Sequence, residues 1–206
     1  MDFTTLTNER HSALNFVEGV QIPEEDFKKI YEMVKLSPSA FNLQPVRFLI
    51  LTDNDLKDMI YELSNRQYKI HTSSAVVLAL ANTEFVDDAE PLYEPMKMLG
   101  MLDEGSYNDL IQNIKNIYAL YSEEDIHMEA QKNAMVAVTS WLYASKELGW
   151  DSCPMHIHNY DKIQRMFNIP KKYAPVAMIT MGKSYEKERK RGFRKPFSQA
   201  CSINRF

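Results

Sequence analysis

Arg10, His11 and Ser12 stand side by side near the start of the chain and together offer a planar fork of donors, an imidazole and a hydroxyl. These are the residue types that hold a phosphate, because a guanidinium matches two phosphate oxygens at once while serine and histidine add single directed bonds. Taken alone, the triplet reads first as a solvated surface strip. A second cluster is of uncharged polar residues: in residues 36–48, LSPSAFNLQPVRF, Ser37 precedes Pro38, and Ser39, Asn42 and Gln44 stand between Pro38 and Pro45. Each proline pushes the residue before it away from helical geometry, so this is a stiff turn with exposed amides, suited to a planar, polar-edged ligand. Its plainer reading is a helix-to-strand connector. A third cluster, Cys153, His156 and His158, has the thiolate and imidazole types that bind zinc, although no fourth ligand is evident at conventional spacing. The C-terminal run Lys183, Lys187, Arg189, Lys190, Arg191, Arg194 and Lys195 is basic but diluted by Glu186 and Glu188.

Composition narrows the partners. The 206 residues carry 24 Lys plus Arg against 28 Asp plus Glu, a net charge of −4, so no global basic field exists to hold nucleic acid or an anionic membrane. Two cysteines are too few for a disulfide scaffold, and no window approaches the ~20 apolar residues of a membrane span. The expectation is one domain over residues 1–206, in a reducing cytoplasm, with a small-molecule ligand and neither a nucleic-acid nor a membrane partner.

The elements that must position these residues follow from periodicity and punctuation. Residues 23–36 read as a helix opened by Pro23 and the acids Glu24, Glu25 and Asp26, with Phe27, Ile30, Tyr31 and Val34 on one face. Residues 47–52 read as a strand. Asp53 then starts a helix carrying Leu56, Met59, Ile60 and Leu63, and residues 75–81 form a buried central strand. Residues 87–122 are a variable helical insertion, with helices expected over 95–101 and 107–121; its Tyr93, Met96, Met98, Met101 and Tyr118 suit a lid, or simple packing. Residues 127–148 form the strongest helix, apolar on more than one face and ended by Gly149. A short helix over 160–167, a last strand over 176–181 and a C-terminal arm over 183–206 complete the chain.

Four stretches, residues 8–16 (NERHSALNF), 36–48, 65–77 (NRQYKIHTSSAVV) and 191–196 (RGFRKP), resemble the FMN-dependent nitroreductase family. The resemblance runs from about residue 8 to 196 and is weakest in the middle; it is closest to the short bacterial NAD(P)H nitroreductase and quinone reductase type. It implies an α+β nitroreductase-like fold, with a mixed, mostly antiparallel sheet flanked by helices, in a domain-swapped homodimer. It implies FMN bound by Arg10, His11, Ser12 and Asn15 at the phosphate and ribityl end, with Arg191 and Arg194 from the arm. It places Pro38, Ser39, Ala40, Asn42, Gln67, Lys69, Pro154, Met155 and His156 about the flavin, and Phe41 and Gln44 in the substrate pocket. Lys69 would stabilise the negative charge that gathers on the flavin on reduction. NAD(P)H would be the donor, and a nitroaromatic or quinone, a small planar acceptor, the oxidant in a ping-pong cycle. Leu14, Val46 and Arg66 depart from residues usual in that family, and the loop at 156–159 is about two residues longer. A flavin-binding sensor or store, and a metal module at Cys153, His156 and His158, are the alternative functions.

Overall fold

The structure, a computed structural model, describes residues 1–186 and 191–206. Lys187, Arg189 and Lys190 of the basic run therefore lie outside the described residues. Four strands make one sheet in the order β1-β2-β4-β3: β1 (Val46–Leu51), β2 (Ala75–Asn82), β3 (Asp151–Met155) and β4 (Tyr173–Gly182). All three pairings are antiparallel; the parallel relation present is an isolated bridge between Ser12 and Ser152.

β2 is buried along its whole length, and side chains alternate across its pleat. Ala75, Val77 and Ala79 point to one layer, with Ile30, Val138 and Trp141; Val76, Leu78 and Leu80 point to the other, with Ile60, Ile70 and Ile163. The first layer is α2 (Glu24–Val34) and α7 (Glu123–Glu147); the second is α3 (Asn54–Leu63), α4 (Tyr68–Thr72) and α8 (Tyr160–Met166). The small residues on the first face admit Trp141, which lies with its ring centroid 4.5 Å from that of Phe48 and donates to Met181 Sδ at 3.1 Å. An apolar helix α5 (Ala89–Met98) and α6 (Glu104–Tyr118) form a separate cluster around Phe85, Ile114 and Tyr118. The chain begins with α1 (Phe3–Glu9) and ends with α9 (Phe197–Ala200).

Several boundaries differ from the periodic reading, with α6 over Glu104–Tyr118 instead of 107–121 and the last strand over Tyr173–Gly182 instead of 176–181, and three further differences have a local reason. α7 starts four residues earlier than expected, because Ser122 and Asp125 close a reciprocal capping box. α5 begins at Ala89 and runs through Pro95, which occupies the interior of the helix instead of opening it. β3 was not visible as a strand because Pro154 interrupts it; β3 is an edge strand, where a residue lacking an N–H is tolerated. Gly149, at φ +76°, does end α7 as expected.

Among the described residues one charged side chain is buried. Lys57, on α3, is 4% exposed, and its Nζ donates to the carbonyl of Ser73 at 2.5 Å, capping the end of α4. Burial pushes its ammonium below the ordinary 10.5, against the nearby charges of Asp58 and Asp53, which pull it back up. Between the folded value and 10.5 the unfolded chain binds more protons, so wild-type stability rises with pH in that window. In Lys57→Met, thermal melting should show the variant's stability relative to wild type falling steadily as pH is raised from neutral towards 10.5; a pH-independent difference would refute the buried charge.

Candidate functional site

The N-terminal triplet is positioned by β3. After α1 the chain turns at Arg10 and runs beside β3: Ser12 bridges Ser152, and Ala13 N–H donates to the Ser152 carbonyl at 3.1 Å. Further on, Phe16 N–H meets Thr72 Oγ1 at 3.2 Å and pairs with Ser184, which pins the segment between α4 and the end of β4. Asn15 accepts from Tyr185 N–H at 3.2 Å through its carbonyl. The Arg10 guanidinium lies 6.0 Å from the Tyr143 ring centroid on α7. His11 donates from Nδ1 to the Glu9 carbonyl at 2.8 Å, leaving its buried Nε2 without a partner among the described residues.

Lys69 joins the same edge. Its Nζ donates to Cys153 Sγ at 3.5 Å, and the thiol in turn reaches the Pro154 carbonyl at 3.7 Å. Gln67 is the N-cap position of α4, two residues before Lys69, and its side chain makes no capping bond. Arg191 closes the cluster from the C-terminal arm: its Nη2 donates to the carbonyls of Thr7, Asn8 (2.7 Å) and Arg10 (2.9 Å). Carbonyls orient a guanidinium without cancelling its charge. Among the described residues, no carboxylate forms an ion pair with Arg10, Lys69 or Arg191. Lys69 thus stands beside β3 at Cys153, with Pro154, Met155 and His156 following along the chain, while Arg191 stands at the Arg10 backbone.

The second half of the expected site lies elsewhere. Pro38, Ser39, Ala40, Phe41, Asn42 and Gln44 lead into β1, three strand spacings from β3, or roughly 14 Å across the sheet. This turn is wound through left-handed backbone at Phe41 (φ +49°), Asn42 (φ +49°) and Gln44 (φ +47°). For a bulky residue such as Phe41 that conformation costs on the order of 1 kcal/mol or more, and the surroundings must hold it. They do so at three points: Ala40 N–H donates to Asn133 Oδ1 at 2.6 Å, Gln44 N–H to Ser39 Oγ at 3.0 Å, and Tyr93 Oη–H to the Phe41 carbonyl at 2.8 Å. Ser37 Oγ also bonds Ser140 Oγ on α7 at 2.7 Å. Tyr118 packs edge-on to Phe41 and Phe85, and burial pushes its phenol up to about 12. Tyr93 is expected from the sequence to pack or to form part of a lid, but its bond to the turn and that of Asn133 carry no local signal, since each joins residues far apart in the chain.

Two expected associations are not present within the chain. Arg194 turns back on the carbonyls of Gly192 (3.1 Å) and Phe193 (3.0 Å), leaving Arg191 as the arm residue that reaches the triplet. The metal array does not assemble: among the described residues no group of three His, Cys, Asp or Glu side chains could hold a metal ion. Cys153 and His156 are an odd number of residues apart on extended chain, which sends them to opposite faces. Cys153 is buried against Lys69, while His156 stacks edge-on with His158, centroids 4.9 Å apart. Among the described residues no helix is long and apolar enough to cross a membrane.

A family model described as the nitroreductase family matches residues 8–183. Among the relatives, the Bacillus subtilis protein named "Putative NAD(P)H nitroreductase MhqN" is 38% identical over 199 residues, covering 96% of this chain and 97% of that protein. The protein DrgA of Synechocystis is 27% identical over 186 residues, 90% of this chain and 86% of its own length. The crystal structure of Bacillus subtilis ydfN superposes with a TM-score of 0.94 at 37% identity, covering 98% of each chain. A structure from Exiguobacterium sibiricum, solved in complex with FMN, superposes with a TM-score of 0.92 at 23% identity over 99% of this chain and 98% of that one, a likeness of fold.

The Tyr93 hydroxyl is the tie between α5 and the left-handed turn. Tyr93→Phe removes one hydrogen bond, so unfolding stability should drop by about 0.5–1.5 kcal/mol. Amide exchange at Asn42 and Leu43 should accelerate more than in the sheet; unchanged exchange there would show that the turn holds itself.

Proposed function

The chain belongs to the nitroreductase family, and from that premise we propose that it is an FMN-dependent oxidoreductase that passes electrons from NAD(P)H to nitroaromatic or quinone acceptors. The observation that carries this reading is the set of cations Arg10, Lys69 and Arg191 along the 10–13 segment and β3, with which no carboxylate among the described residues forms an ion pair. Such a set fits a phosphate at one end and a ring that gathers negative charge at the other. With Nδ1–H given to the Glu9 carbonyl, the neutral His11 ring offers Nε2 as an acceptor, which suits a hydroxyl donor such as one on a ribityl chain. FMN complexation in the Exiguobacterium sibiricum structure supports the same assignment.

Bound there, FMN would supply two-electron chemistry, taking hydride from NAD(P)H and giving it to the acceptor in separate visits. The chain's own part is to bind and orient. Arg10, His11, Ser12 and Asn15 would hold the phosphate and ribityl end, with Arg191 and Arg194 from the arm. Lys69 would keep a positive charge beside the ring, with Gln67 near it, while Pro154, Met155 and His156 present the β3 backbone to its edge. Pro38, Ser39, Ala40 and Asn42, with Phe41 and Gln44 in the acceptor pocket, would complete the wall and exclude water.

That wall requires a second copy, because within one chain the turn and the cation set occupy opposite edges of the sheet. Two further features support a domain-swapped homodimer. The outer edge of β1 has no partner strand among the described residues, and the arm exposes Phe193 (82%), Phe197 (67%) and Ile203 (74%). An arm laid along β1 of the other copy would cover both and make the sheet mixed. In this reading residues 1–206 form one FMN-binding domain, 87–122 its lid and 183–206 its arm, in a cytoplasmic enzyme.

The purified protein should show flavin bands in its visible spectrum, or acquire them with added FMN, and should oxidise NAD(P)H with menadione or nitrofurazone. A colourless protein that takes up no FMN would sink the proposal; flavin without turnover would indicate a flavin store. Arg10→Ala removes a charge-assisted bond and should weaken FMN binding by ~1.5–3 kcal/mol, about 10- to 150-fold. Lys69→Met should lower the flavin midpoint potential while leaving the bound flavin in place.

A further inference from the structure

On the outer side of α3 lies a cavity of about 430 Å³ that shares no residue with the flavin reading. Its walls are the 18–21 loop, the turn from β1 into α3, and the stretch from His71 to Ser74. Its size falls within the range of small-molecule pockets, about 300–1,000 Å³, and its lining is mostly polar. Lys57 reaches into this wall almost wholly buried. Of its three ammonium donors one is used by the Ser73 carbonyl, and among the described residues no carboxylate pairs with it.

The acids around it are committed to other partners. Asp53 caps α3 by accepting Leu56 N–H at 3.1 Å, Asp58 accepts from His71 Nδ1 at 2.9 Å, and Glu18 accepts from the Tyr68 hydroxyl at 3.1 Å. The cavity thus has a desolvated cation that makes no close ion pair among the described residues, with Asp58 and Asp53 acting on it from farther away and keeping free lone pairs. Asp53 also marks the N-terminal end of α3, whose backbone dipole favours an anion. A phosphate dianion would meet three carboxylates; a ligand that carries its own cation would be matched at both ends. We propose that this cavity binds a free α-amino acid, its carboxylate on Lys57 and its ammonium towards Glu18 and Asp58. The site is separate from the flavin and does not depend on the activity proposed above.

Calorimetry on the purified protein with each of the twenty L-amino acids, and with acetate and inorganic phosphate for comparison, tests this. At least one amino acid should bind once per chain, and acetate and phosphate should bind at least about tenfold more weakly. Lys57→Met should lower the affinity by about tenfold or more, and Asp58→Asn or Glu18→Gln should weaken the amino acid but not acetate. The flavin spectrum should be the same in all of them. No binding by any amino acid up to about 10 mM, equal binding by acetate or phosphate, or unchanged affinity in Lys57→Met overturns the proposal. Should Lys57→Met fail to fold, amide NMR of the wild-type protein decides: the amino acid that binds must shift the Lys57, Asp58 and Ser73 resonances, and unshifted resonances overturn the proposal.

Discussion

Strand β2 lies between two helical layers with none of its eight residues reaching solvent, and this burial sets the positions of everything that could do chemistry. Its pleat sends small side chains towards α7 and branched ones towards α3, α4 and α8, so the two layers stand at different depths. α7 lies close enough for its central tryptophan to touch the β1 and β4 side chains. On the opposite layer, α4 is held against the sheet, and with it the lysine that meets the β3 cysteine. A one-residue slip of β2 would exchange the two faces and detach both contacts.

What could be read from the sequence follows the reach of each physical signal. The helix after Pro23, the Asp53 cap, the apolar β2 run and the glycine after α7 depend on neighbours within a turn or two, and all four stand where expected. The residue types of the 10–12 triplet were legible because phosphate chemistry uses few side chains. What was not legible depends on contacts across many residues. The Lys69–Cys153 bond spans 84 residues and the Tyr93–Phe41 bond 52, and neither has a local pattern. β3 escaped notice because a proline weakens the alternation that announces a strand.

The 38–44 turn shows strain held by its surroundings. Three non-glycine residues in left-handed backbone would relax in an isolated peptide; here Asn133, Ser39 and Tyr93 each fix one point of the turn. The result is a rigid surface of small polar groups whose shape owes more to α5 and α7 than to its own residues. Sequence change in α5 can therefore alter this surface from outside the turn.

The Arg191 guanidinium also fixes an order of events. It bonds backbone carbonyls of residues 7, 8 and 10, and the contact with residue 10 spans 181 positions. During synthesis those carbonyls are made first and wait for nearly the entire chain before their partner exists. Contacts of such separation form late in folding, because closing the loop between them costs entropy that the sheet must already have offset. The Arg191 anchorage is thus among the last contacts of the molecule to assemble, and a nascent or truncated chain completes its core without that guanidinium beside the N-terminal segment.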